Sequence, residues 1–91
     1  MLTKRILIVD DEEGYRKVLA NSLTDIGYET KAVNNGLEAL EEIRKKKYSI
    51  ILLDVKMPGM DGIELLDRIQ GTKFTSHSNI VIITAYTDQD V

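Results

Sequence analysis

Three short aliphatic runs and one alternating segment are interleaved with stretches of helical period along this 91-residue chain. That order predicts an α/β domain on a doubly wound parallel sheet, since parallel strands joined by helices need cover on both faces. Three of the predicted strands are followed by residues fit to hold a ligand: Asp10-Asp11, Asp54 and Thr84. The composition agrees, with 43% hydrophobic and 30% charged residues and a net charge of −3, as in an ordinary single globular domain.

Ile6-Leu7-Ile8-Val9 is a continuous apolar run and reads as a buried strand, closed by Asp10 and Asp11. Tyr15, Val18, Leu19, Leu23 and Ile26 fall on one helical face and are expected in the core, with Gly27 as the stop signal. Glu29 to Val33 alternates polar and apolar, as a half-buried strand does. Asn35 followed by Glu38 forms a capping signal for a second helix. Leu37, Leu40 and Ile43 are its expected inner face, and Lys45-Lys46-Lys47 end it where the helix dipole favours cations. Ile50 to Leu53 is the next buried run, closed by Asp54. The loop from Lys56 to Gly62 leads to a helix carrying Ile63, Leu66 and Ile69. After a polar connector over 71–79, Ile80 to Ile83 forms the last aliphatic run, closed by Thr84.

The alternating second strand suits a sheet edge, which predicts the spatial order 2-1-3-4 once crossovers are right-handed. The last run resembles an interior strand yet has no later strand to pair with. A bare aliphatic edge invites association, so it calls for a further strand, a covering helix or a partner, as in a piece of a longer domain. The absence of cysteine excludes disulfides, thiol chemistry and thiolate metal sites. Apolar runs of four or five residues fall far short of the ~20 that span a bilayer. The acidic balance supplies no field for nucleic acid or an anionic membrane. A cytoplasmic location is the expectation.

In an open doubly wound sheet, ligands sit beyond the carboxyl ends of the strands where the winding reverses. Here that is between the first and third strands, so Asp10, Asp11 and Asp54 should share a crevice with Thr84 nearby. Three carboxylates together repel, and at least one should hold its proton unusually tightly unless a cation is present. Oxygen donors without histidine or cysteine point to Mg²⁺ rather than Zn²⁺. Such an ion also binds phosphate oxygens, and a neighbouring carboxylate can attack phosphorus to give an acyl phosphate.

Four stretches carry a resemblance: ILIVDDE at 6–12, GYETKAVNNGLEAL at 27–40, IILLDVKMPGMDGIELL at 50–66 and IVIITAY at 80–86. Together they resemble the receiver domain of bacterial two-component response regulators, over nearly the whole chain. The resemblance implies the flavodoxin-like receiver fold, lacking here its fifth strand, the lysine that ends it, an aromatic switch residue and its last helix. It implies that Asp54 is the phosphoacceptor, charged from a phosphohistidine on a sensor histidine kinase. It implies a Mg²⁺ site made of Asp10, Asp11, Asp54 and the backbone carbonyl of Lys56. Thr84 matches the switch hydroxyl and Ala85 its small neighbour, while Lys56 and Tyr86 match variable positions that tune the phosphoryl group's lifetime. The partners implied are the kinase and an effector domain or downstream protein, and the domain is a signalling switch that catalyses only its own phosphorylation and dephosphorylation.

Other readings compete. A haloacid dehalogenase-type phosphatase also uses a strand-ending aspartate, but it wants a second acid two residues on, where this chain has Lys56. A phosphorylation-independent pseudo-receiver, acting as a binding or dimerisation module, is favoured by the missing strand and opposed by the intact Asp10, Asp11, Asp54 and Thr84. Self-association through the exposed fourth strand is a further expectation, whichever reading holds. A nucleotide-binding domain lacks its glycine-rich loop. Pro58-Gly59 and Asp61-Gly62 read as turn chemistry, His77 as a surface histidine, and the three-lysine run as a solvated helix end.

Overall fold

The computed structural model describes residues 4–54, 62–70, 72–73 and 78–83. The element order is β1 (Arg5–Val9), α1 (Glu13–Ile26), β2 (Glu29–Val33), α2 (Gly36–Lys45), β3 (Ile50–Asp54), α3 (Gly62–Ile69) and β4 (Asn79–Ile83). The strands form one parallel sheet in the order β2-β1-β3-β4, as the hydrophobic patterning predicts. In register, Ile8 lies beside Ala32 on one side and Leu52 on the other, and Leu52 lies beside Val81.

Side chains alternate across the strands, so the sheet has two unlike faces. Leu7, Val9, Ile51 and Leu53 point to the face covered by α2 and α3, where they meet Ala39, Ile43, Leu65, Ile69 and Tyr48 in the core. Each fully buried aliphatic side chain there contributes about 1.5–3 kcal/mol. Ile6 and Ile8 are buried on the other face, where α1 packs against β1 and β2. Beyond α1's reach, Ile50 and Leu52 are only half-buried and Val81 is 45% exposed.

The helix faces correct the expected ones. In α1 the half-buried stripe is Arg16, Leu19, Ala20 and Leu23, and no residue of the helix is fully buried. Tyr15, Val18 and Ile26, expected in the core, are exposed. Tyr15 and Val18 lie off this stripe, and Ile26 continues it but is the last residue of the helix; among the described residues α1 packs mainly on β1 and β2, a narrow surface. In α2 the inner residues are Gly36, Ala39, Leu40 and Ile43, again at i, i+3, i+4 and i+7, leaving the expected Leu37 exposed. In α3 Leu65 is fully buried and Leu66 packs at the core's margin. β4 is the sheet edge among the described residues, and Val81 and Ile82 are exposed on it.

Local signals set the helix ends. The Asn35 side chain accepts the Glu38 N–H at 2.8 Å, and the Glu38 carboxylate reaches back to the Asn34 N–H at 3.4 Å. Gly27 ends α1 at φ 120°, a conformation an L side chain resists, and its N–H satisfies the Leu23 and Thr24 carbonyls.

The amino-terminal rim of the sheet is laced across its strands. Arg5 donates to the Lys47 carbonyl at 2.9 Å, pairs with Glu29 at 3.3 Å and lies 5.9 Å from the centre of the Tyr48 ring. The Ser49 N–H donates to Arg5 and the Asn79 N–H to Ser49, both at 2.8 Å, while the Ser78 hydroxyl donates to the Tyr48 carbonyl. The Tyr48 hydroxyl donates to the Glu42 carboxylate at 2.7 Å.

Candidate functional site

The carboxyl ends of β1 and β3 stand side by side, since Val9 pairs with Leu53 in the parallel register. Asp10 follows the first strand and Asp54 is the last residue of the other, so adjacency in the sheet brings two aspartates together. Asp11 follows directly on Asp10. One oxygen from each of the three carboxylates lies within 4.8 Å of the other two. Asp10 and Asp54 are buried, at 4% and 6% exposure, and Asp11 is exposed.

Asp10 is fixed at three atoms. Its N–H donates to the Val33 carbonyl at 3.2 Å, its Oδ1 accepts the Glu12 N–H at 2.9 Å, and its carbonyl accepts from the Arg16 guanidinium at 2.9 Å. Its carboxyl is a weaker acid than usual. Burial is the main cause, the charges of Asp54, Asp11 and Glu12 add to it, and the hydrogen bond from the Glu12 N–H opposes it. The expected proton-holding carboxyl is thus present, with desolvation ahead of repulsion.

The donor set suits a hard divalent cation. Oxygens bound to one Mg²⁺ at ~2.1 Å lie about 3–4 Å apart, so the three carboxylates need only a slight contraction to share an ion. One face of the group is open through Asp11, which leaves room for water or a phosphoryl oxygen. A cavity of about 340 Å³ lined by Ile43, Arg44, Lys45, Lys46, Lys47 and Lys73 lies at the opposite end, before β3 begins, and holds no carboxylate.

Of the residues expected in the site, the structure brings together Asp10, Asp11 and Asp54. Lys56 and Thr84 lie outside the described residues, as do Ala85, Tyr86, His77, Pro58, Gly59 and Asp61, while Gly62 opens α3. Arg16 is the contact that sequence reasoning missed. Its signal was a cation on the i, i+3, i+4, i+7 stripe of α1, where an apolar residue belongs.

A doubly wound parallel sheet with strand-ending aspartates at its switch point defines a class of domain suited to metal-assisted phosphoryl chemistry. Comparison with known proteins gives the family. The response regulator receiver domain model matches residues 6–91. Sporulation initiation phosphotransferase F of Bacillus subtilis is 41% identical over 91 residues, all of this chain and 72% of that protein. Transcriptional regulatory protein ZraR of Klebsiella oxytoca is 40% identical over 85 residues, 93% of this chain but 19% of the relative. The response regulator TrrA of Thermotoga maritima, solved in complex with Mg²⁺-BeF, superposes with a TM-score of 0.84 at 39% identity, over 93% of this chain and 72% of that one. TrrA in complex with the histidine kinase ThkA superposes with a TM-score of 0.84 at 37% identity, over 98% and 75% of the two chains. The chain belongs to the receiver domains of two-component response regulators, the phosphoacceptor units of that signalling system, and its sheet order is that of the flavodoxin-like receiver fold.

Proposed function

We propose that residues 1–91 act as one receiver unit in which Asp54 accepts a phosphoryl group from a histidine kinase, while Asp10, Asp11, Asp54 and the Lys56 carbonyl hold Mg²⁺. The observation that carries this reading is the convergence of three carboxylates within 4.8 Å at the ends of β1 and β3. An Asp54 carboxylate oxygen attacks the phosphorus of a phosphohistidine. The P–N bond breaks, the imidazole nitrogen departs with its electron pair and takes a proton, and an acyl phosphate remains on Asp54. Bound Mg²⁺ supplies positive charge that offsets the oxygens of the transferring group. Asp10 and Asp11 would set the ion's place beside the buried Asp54. Thr84 provides the hydroxyl that turns toward the new phosphoryl group and changes the surface a partner reads.

The ThkA–TrrA complex supports a kinase as the phosphodonor, and ZraR's greater length supports a linked effector domain as the recipient, with a separate downstream protein as the alternative. No helix among the described residues is long and apolar enough to cross a membrane, in keeping with a cytoplasmic switch. A second reading, self-association through β4 independent of phosphorylation, draws on the exposed Val81 and Ile82.

Intact-mass spectrometry after mixing with a small-molecule phosphodonor tests the first reading. One Mg²⁺-dependent phosphoryl adduct, lost in Asp54→Asn, is the expected result. No adduct on the wild-type chain refutes it. A concentration-dependent dimer, indifferent to phosphodonor and broken by Val81→Lys, would favour the second.

A further inference from the structure

We infer that Arg16 is a positioning residue for the acidic crevice: its guanidinium holds the main-chain carbonyl of Asp10 and thereby sets where Asp10 and Asp11 stand relative to Asp54. The inference rests on the metal reading proposed above.

Arg16 donates from Nη1 to the Asp10 carbonyl at 2.9 Å, in a partly buried contact. Three local preferences argue against an arginine at this place. It sits on the inner stripe of α1, in line with Leu19, Ala20 and Leu23, where an apolar side chain would bury more favourably. It lies in the helix's first turn, where the macrodipole disfavours a cation. Among the described residues its guanidinium forms no ion pair, unlike Lys17 one residue on, which pairs with Glu13 at 3.1 Å. Glu13 attracts the Arg16 charge at longer range, but the one hydrogen bond the guanidinium makes among the described residues goes to this main-chain oxygen.

The consequence passes through the peptide bond. The Asp10 carbonyl is coplanar with the N and Cα of Asp11, so fixing that oxygen fixes the plane from which Asp11 departs. Asp11 is the exposed member of the triad, without the packing that restrains Asp10 and Asp54. On the other side of the plane, Asp10 is held by its N–H to Val33 and its Oδ1 to the Glu12 N–H. Those bonds fix the Asp10 side chain within the turn. Arg16 is thus the pin that closes the turn between β1 and α1 from the helix side.

A purely electrostatic role makes the opposite prediction. Deleting a cation beside three carboxylates should strengthen the binding of a divalent cation, whereas deleting a pin should weaken it. The sign of the change decides. Mg²⁺ titrations followed by amide NMR shifts would compare wild type with Arg16→Met, which keeps the aliphatic stem on the stripe and removes the donor. Arg16→Lys restores one donor, and Lys17→Ala removes a cation of the same turn that does not touch the loop. The expected result is about tenfold weaker Mg²⁺ binding in Arg16→Met, the lower end of what loss of an outer partner does to a metal site. Arg16→Lys should recover most of it, and Lys17→Ala should bind as wild type or tighter. Without Mg²⁺, the Asp11 amide should exchange faster in Arg16→Met. Binding in Arg16→Met as tight as wild type or tighter overturns the inference. So does an equal loss in Lys17→Ala, which would mark general damage to the helix. A wild-type chain that binds no Mg²⁺ overturns the metal reading itself and the positioning role with it.

Discussion

Replacing Asp10 by asparagine should make the domain more stable at neutral pH in the absence of divalent cations. The side chain is 4% exposed and its carboxylate shares a space of 4.8 Å with those of Asp54 and Asp11. Two unit charges at that separation repel by about 1 kcal/mol in a water-like dielectric and about 3 kcal/mol in one typical of a protein surface. The substituted side chain keeps an amide oxygen to accept the Glu12 N–H, so the turn between β1 and α1 survives while the charge goes. Because Asp11 is exposed and its share is screened, a net gain of about 1–3 kcal/mol is expected. In a domain of this size 1 kcal/mol moves the melting temperature by about 4–8 °C.

The dependence on pH follows from the direction of the Asp10 shift. The folded carboxyl is a weaker acid than the ordinary value of 3.8, so its ionisation opposes folding. That penalty is complete above the folded pKa and vanishes below the unfolded one. The advantage of Asp10→Asn should therefore be largest at neutral pH and close as the pH falls toward 3.8. Thermal melts followed by circular dichroism in EDTA, from neutral to acid pH, check this. Equal or lower stability of the variant at pH 7, or an advantage that persists at acid pH, would refute the crowded-carboxylate account. Added Mg²⁺ should erase the difference, because an ion bound only to the folded wild type stabilises it by mass action.

Four further substitutions probe the scaffold. Tyr48→Phe removes the hydroxyl that donates to Glu42 and strengthens its acidity, so urea melts should report a loss of about 1–3 kcal/mol. That stabilisation is present above the ordinary glutamate value of 4.5 and disappears as the pH falls through the lowered folded pKa, so the gap should narrow in acid. Asn35→Ala deletes the α2 cap and should lower stability by about 1 kcal/mol in the same assay. Leu65→Ala should reduce stability by about 2–5 kcal/mol, whereas Leu37→Ala, two-thirds exposed on its helix, should stay within about 0.5 kcal/mol; similar losses for the two would contradict the inner face assigned to α2.

The strand order was legible because it depends on periods and lengths. Continuous aliphatic runs mark β1 and β3 as interior, and the alternation of Glu29 to Val33 marks β2 as an edge. The acidic triad was equally legible, since residues that end adjacent parallel strands must meet. The cap at Asn35 and the stop at Gly27 use local chemistry that sequence states outright. The helix faces were not. Tyr15, Val18 and Ile26 satisfy a helical period as well as Leu19 and Leu23 do, and the period alone does not say that the covered stripe runs through Arg16, Leu19, Ala20 and Leu23 and ends before Ile26. Leu37 fails in the same way, because the inner face of α2 runs through Gly36, Ala39, Leu40 and Ile43, one residue round from the expected one. Arg16 escaped notice because a long cation can reach a carbonyl from a position that reads as an interruption of the apolar stripe.

The two rims of the sheet differ in what a local opening disrupts. Parallel strands place every amino end on one rim, where Arg5, Tyr48, Ser49, Ser78 and Asn79 are tied to one another across strands. Every carboxyl end falls on the other rim, where buried like charges gain by moving apart. Fraying from the first rim must break a continuous chain of bonds, while fraying from the second breaks the bonds that hold Asp10 but also relieves repulsion. Among the described residues the domain is therefore anchored at one end and under electrostatic tension at the other. A cation or a change in charge at the acidic rim acts on that tension directly, and the laced rim supplies the fixed base against which the carboxyl ends can shift.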